Sequence, residues 1–140
     1  MIRNVEERDM SFVYDCLCAL EECTLDKQAF QTGFALQLAD SSLSMHVLEQ
    51  GDKRCGYMSC RVVYHLHHCA YIAMVEELYV CPDARGSGKG RALLEYARQA
   101  AKQQGCIQLE LSSNLRRISA HAFYKRMKMF CKHYKFTWNL

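Results

Sequence analysis

Residues 75–94, VEELYVCPDARGSGKGRALL, limit the fold more than any other stretch of the chain. An apolar, strand-like run stops at Pro82. Three glycines then fall within five residues, at Gly86, Gly88 and Gly90, and a helix-like pattern begins at once. Glycine takes positive φ freely and adds no side-chain bulk, so the segment predicts a tight strand-to-helix turn. The N–H groups of such a turn and of the helix start converge on one point, which suits phosphate or pyrophosphate. Spacing removes two common phosphate sites. A Walker loop places Ser or Thr after Gly-Lys, but Gly90 follows Gly88-Lys89. A dinucleotide fingerprint reads G-x-G-x-x-G, but these glycines alternate.

The remaining pattern predicts an α/β chain. Ile2–Val5 reads as a short strand. Asp9 is placed to cap a helix over 10–22 with Val13, Leu17 and Leu20 on one face, and Asp26 a second helix carrying Phe30, Phe34 and Leu38. Strands are expected over 45–50, 55–67 and 71–80, with a turn at 51–53. A helix over 88–104 turns Leu93, Leu94 and Ala97 inward and stops at Gly105. Ile107, Leu109 and Leu111 alternate as a strand, a last helix covers 119–128, and a last strand lies around 132–138. Antiparallel strands followed by a β-α-β-α-β end imply an α/β sandwich around a mixed sheet.

At 140 residues, half of them apolar or aromatic, the chain is expected to form one domain over 1–140. It has no apolar run of the ~18 residues a membrane span needs. The opening MIRNVEERDM lacks an apolar signal segment, so a cytoplasmic location is expected. Nine cysteines, an odd count with no C-x-x-C pair, read as free thiols in a reducing compartment. Cys81, beside the glycine turn, is the thiol to probe with an alkylating reagent. Charge is unevenly spread. Residues 1–113 carry a net −4, whereas 114–140 hold seven basic residues and no acid. That segment suits an anionic ligand. It reads as helix and strand rather than a basic arm, so nucleic acid is not expected.

Arg85-x-x-Gly88-x-Gly90 at a strand-to-helix junction resembles the R/Q-x-x-G-x-G/A motif of the GNAT superfamily of N-acetyltransferases, and the likeness runs through nearly the whole chain. The stretch LELSSNLRRISAHAFYKRM is similar to the family's fifth strand and following helix, with an A-x-x-F-Y element at Ala120, Phe123 and Tyr124. QAFQTGF (28–34), YHLHH (64–68), LELSSN (109–114) and AHAFY (120–124) resemble the aminoalkylphosphonate N-acetyltransferase subgroup. The resemblance implies a GNAT fold: an α/β/α sandwich around a mixed, partly splayed β-sheet that receives acetyl-CoA as cosubstrate. It implies transfer of acetyl to the primary amine of a small molecule by direct attack, with an aminoalkylphosphonate as the acceptor it points to. A diamine or protein N-terminus as acceptor, or a non-catalytic acetyl-CoA-binding module, stand as alternatives. Relatives of this kind are often homodimers.

Acetyl transfer to an amine needs a base, because an alkylammonium of pKa near ~10 has no free lone pair. The family often places an acidic base on the strand before the glycine turn. Glu77 is the first candidate and Glu76 the second; an ideal strand points them to opposite faces. Glu110 is weaker. The resemblance assigns the amides of Leu78 and Val80 to the pantetheine arm, and Arg85, Gly86, Ser87, Gly88, Lys89, Gly90 and Arg91 to the pyrophosphate. The same resemblance makes Tyr124 the expected acid for the departing thiolate. The resemblance also offers Asn114 as an expected cofactor contact, although it stands ten residues before Tyr124, farther than usual. The usual Gly-aromatic pair after this helix is Lys128-Met129 here. On a strand, His65 and His67 share a face and are expected to line the acceptor pocket. A divalent metal there is admissible chemistry, but no clear third ligand stands in the sequence, and no metal is expected.

Overall fold

The computed structural model describes all 140 residues. They divide into two compact units, Met1–Glu110 and Leu111–Leu140. The chain runs β1 (Ile2–Asn4), α1 (Met10–Glu21), α2 (Lys27–Leu38), β2 (Leu43–Gln50), β3 (Lys53–His65), β4 (Ala70–Val80), α3 (Lys89–Gln103), β5 (Gln108–Leu111) and α4 (Ile118–Arg126). The strands form one mixed sheet in sequence order. β1 through β4 pair antiparallel, so α3 is the crossover that returns the chain to β5.

Alternation in β3 separates the two faces. Tyr57 joins Val13, Cys16, Phe34, Met45 and Val47 in the core under α1 and α2. Gly56 faces the other way: a Cβ there would meet Leu93 Cδ1 of α3 at 3.1 Å and the Tyr79 carbonyl at 3.2 Å. Glycine lets this helix approach the strand closely. Leu93, Leu94, Ala97 and Ala101 bury the inward stripe of α3. The helix ends before Gly105, whose φ of +76° makes the stop.

Asp26 caps α2 as expected, its carboxylate accepting the Ala29 N–H at 2.7 Å. Asp9 does not cap α1 with its side chain. Its fully buried carboxylate takes both Arg3 nitrogens, at 2.7 and 3.0 Å, the Arg54 Nη1 at 3.0 Å and the Glu6 N–H at 2.9 Å. An ionised carboxylate with two guanidiniums in reach is held by them rather than by the helix end, and its pKa falls from 3.8 to about 2. Arg3 also grips Glu49, joining β1, β2 and the start of α1.

Three elements differ from the sequence pattern. β3 ends at His65 rather than 67, and residues 66–68 form a 3₁₀ turn. Ile107 lies just outside β5 and is exposed. The segment 132–138 forms no strand, although Tyr134, Phe136 and Trp138 alternate with polar residues. A strand exists only with a partner, and no backbone hydrogen bond joins this segment to another. Its aromatic rings are exposed.

Candidate active site

The sheet register contains one irregularity between β3 and β4. Ser59 stands opposite Glu77 and Cys60 opposite Val75, so Glu76 is an extra residue, a β-bulge. The bulge overturns the expectation that the two glutamates face apart. Glu77 accepts hydrogen bonds from the Ser59 hydroxyl and, at 3.4 Å, the Tyr57 hydroxyl. Glu76 pairs with Arg61 Nε at 2.6 Å. Tyr57, Ser59 and Arg61 are alternate residues of one strand and share the α1–α2 face, so both carboxylates turn there.

Their surroundings differ. Arg61 is shared between Glu76 and Asp40, at 2.6 Å each, so Glu76 sits in an exposed ion-pair network. Glu77 opens on a cavity of about 160 Å³ lined by Val13, Leu17, Phe30, Phe34, Gln37 and Tyr57. Burial pushes its pKa above the usual carboxylate value, opposed by the hydrogen bond from Ser59. Neither hydroxyl is marked in the sequence, and Val13, Leu17, Phe30 and Phe34 are legible there as apolar helix faces but not as the lining of a cavity. Counting the hairpin register would have found Ser59 and Tyr57, but only once the bulge was known.

The next residues of β4 present backbone rather than side chains. Leu78 and Val80 stand opposite Met58 and Gly56, so their side chains face α3. The Cys81 N–H donates to Cys55 O on β3, at 2.9 Å. Amides alternate between the two edges of a strand, so the N–H groups of Val80 and Leu78 point to the opposite edge. β5 starts beside Tyr71, where Ile107 N–H donates to Tyr71 O at 3.1 Å. Its four residues span only about 13 Å, too little to accompany the eleven of β4. The edge carrying the Leu78 and Val80 amides is therefore unpaired by β5.

β4 then enters the glycine turn. Pro82–Ala84 forms one 3₁₀ turn, and Gly86 and Gly88 take φ of +73° and +82°. A Cβ at either would meet nothing within 4 Å, so glycine is required by conformation and not by space. The first helical bond of α3 is Ala92 N–H to Gly88 O, which leaves the N–H groups of Lys89, Gly90 and Arg91 free at the helix start. The Ser87 hydroxyl bonds Ala84 O at 2.6 Å. Arg85 folds back onto β4, its Nε on Val80 O at 2.9 Å and its guanidinium over the Tyr79 ring. Lys53 pairs with Asp83 across the base of the turn. The side chains thus brace the loop, and the backbone is left to meet an anion. These features fit the pyrophosphate and pantetheine of acetyl-CoA.

Other candidates fall elsewhere. Glu110 is held by Gln108 at 2.9 Å on β5. Cys81 is half-buried, and burial raises its pKa, so it is not a poised thiolate. All nine cysteines are free. His65 and His67 are not strand neighbours on a pocket wall. Six residues of β3 separate His65 from Ser59, about 20 Å, which puts the histidines at the hairpin end and outside the cavity beneath Glu77. In the second unit, Asn114 Oδ1 accepts the Arg116 N–H at 3.0 Å and its carbonyl accepts Arg117 N–H at 3.0 Å, so it forms the turn that leads to α4. Tyr124 lies on α4, half-buried, and burial raises its pKa.

Comparison with known proteins shows the family. The family described as "Acetyltransferase (GNAT) domain" matches residues 41–128. An aminoalkylphosphonate N-acetyltransferase of Salmonella typhimurium is 36% identical over 136 residues, covering 97% of this chain and 88% of that protein. Among solved structures, a transcriptional regulator from Bacillus halodurans superposes with a TM-score of 0.91 at 21% identity, covering 100% of this chain and 99% of that one. An aminoglycoside 6'-N-acetyltransferase from Acinetobacter haemolyticus gives 0.84 at 16% identity, with 100% and 99% covered. An aminoglycoside N-acetyltransferase in complex with CoA gives 0.87 at 11% identity, with 100% and 93% covered. No helix is long and apolar enough to cross a membrane. The chain belongs to the GNAT acetyltransferases, and it is an N-acetyltransferase that uses acetyl-CoA.

Proposed function

We propose that Glu77 is the general base for a small primary amine bound in the cavity beneath α1 and α2, and that the amine is an aminoalkylphosphonate. The desolvated Glu77 carboxylate at the mouth of that cavity carries the reading. A carboxylate whose pKa is raised accepts a proton more readily, while Ser59 and Tyr57 fix its orientation. Glu76 is the poorer candidate because Arg61 holds it. The amine nitrogen, once relieved of its proton by Glu77, attacks the thioester carbon and forms the amide bond. The carbon–sulfur bond breaks, Tyr124 gives its phenolic proton to the thiolate, and the second nitrogen proton, made acidic by the new C–N bond, returns to the Tyr124 phenolate. A phenol is protonated at neutral pH, as an acid requires, and burial shifts its pKa further up. The N–H groups of Leu78 and Val80 hold the pantetheine arm, and those of Lys89, Gly90 and Arg91, with Arg85, Gly86, Ser87 and Gly88 shaping the loop, hold the pyrophosphate. Asn114 acts on the turn rather than on the cofactor.

The phosphonate assignment is supported by the Salmonella relative's activity and by the acid-free segment 114–140. Free thiols and the use of acetyl-CoA support a cytoplasmic setting. The test is turnover with acetyl-CoA across a panel of amines. Aminomethyl- and aminoethylphosphonate should give the highest kcat/KM, and the matching uncharged alkylamines should fall well below them. A preference for polyamines or peptide N-termini would overturn the acceptor and leave the base to be judged by Glu77→Gln.

A further inference from the structure

We propose that His65, His67 and His68 form a binding site for one late first-row divalent cation, such as Zn²⁺, Ni²⁺ or Co²⁺, at the closed end of the β3–β4 hairpin. Their candidate ligand nitrogens all lie within 4.8 Å of one another. The ring centroids are 5.4, 6.0 and 4.2 Å apart. Tetrahedral coordination at Zn–N distances of about 2.0–2.1 Å asks for nitrogens about 3.4 Å apart. Small ring rotations at an exposed hairpin end close that gap.

The backbone gathers these rings. A continued strand would send His68 to the face opposite His65 and His67. Instead the strand stops at His65, and residues 66–68 turn as a 3₁₀ helix. Cys69 closes the turn at φ +49°, its N–H on Leu66 O at 3.0 Å and its thiol on the same carbonyl at 3.3 Å. Left-handed backbone at a non-glycine residue costs roughly 1–2 kcal/mol. The hairpin therefore holds a disfavoured conformation whose outcome is three imidazoles on one side. The Cys69 thiol is turned to Leu66 and stands outside the cluster, which leaves a fourth position for water. An all-imidazole set selects zinc, nickel, cobalt or copper over magnesium or calcium.

The site lies about 20 Å along the strand from Glu77, too far for the ion to polarise the reacting carbonyl. Its effect is to tie the hairpin end and stabilise the folded chain by mass action. The experiment titrates the full chain, freed of any affinity tag, with CoCl₂ and with ZnCl₂. One equivalent should bind, and the cobalt spectrum should show nitrogen and oxygen ligands without a thiolate charge-transfer band. His65→Ala and His67→Ala should each weaken binding about tenfold or more, and Cys69→Ser should not. The melting temperature should rise with the ion in the parent chain and stay fixed in the triple alanine variant. His67→Gln, which keeps a polar side chain at this exposed site, checks that lost binding is not lost folding. Absence of binding, a thiolate band, or unchanged affinity in the triple variant overturns the proposal.

Discussion

Two carboxylates in this chain, the buried Asp9 and the half-buried Glu77, have opposite thermodynamic roles. Asp9 is ionised and fully paired, and its pKa falls from 3.8 to about 2 on folding. Its contribution is therefore present above pH ~3.8 and is lost as the pH falls from there towards ~2, a difference on the order of 2 kcal/mol. Asp9→Ala leaves Arg3 with Glu49 alone and Arg54 without a carboxylate, and should cost on the order of 2 kcal/mol in urea unfolding at neutral pH. That deficit should shrink as the pH is lowered through the same window. A deficit that does not change with pH would mean that packing, not charge, is lost. Glu77 behaves in the reverse sense, because its pKa is raised by burial. Stability from the neutral form is full below the unfolded value near 4.5 and is lost as the pH rises through the higher folded value. At neutral pH the ionised carboxylate thus weakens the fold. Glu77→Gln should raise the melting temperature while lowering kcat by about 10²- to 10⁴-fold. A drop in both would assign Glu77 to structure alone.

At the scale of elements, the turn between β4 and α3 was legible because its requirement is written in residue type. Gly86 and Gly88 take backbone angles that other residues avoid, and a sequence displays that directly. Gly88→Ala should weaken CoA binding, measured by calorimetry, and destabilise the chain by roughly 1–2 kcal/mol through strain alone. Unaltered binding would show that the amides are not the anion cradle. The α3 stripe was equally legible, since Leu93, Leu94 and Ala97 repeat at helical spacing. The bulge at Glu76 was not, because an extra residue leaves no mark in composition and shows itself only against the opposite strand. The strand reading of 132–138 failed for a related reason: alternation records what a strand would bury and not whether a partner is there. The histidine turn failed through Cys69, a residue type that gives no warning of left-handed backbone.

At the scale of the whole chain, packing is uneven. The buried core belongs to residues 1–110, and the last residues carry exposed aromatic rings. Lys128, Lys132 and Lys135 border or lie within the segment without regular structure, so limited trypsin digestion should remove it first. Mass spectrometry that finds the first cut within residues 1–110 would contradict this. Charge divides at nearly the same point: the first 113 residues are net acidic and the remainder wholly basic. The bulge has a consequence for the chain's numbering parity. Before Glu76, odd residues of β4 lie on the α3 face; after it, even residues do. Removing Glu76 would restore strict alternation and leave every other β4 side chain on its present face. Removing a residue elsewhere in that strand would turn the neighbours beyond it inside out. The β3–β4 pairing therefore contains a single place where one residue is accommodated without disturbing the rest, and it lies beside the carboxylate on which the proposed chemistry depends.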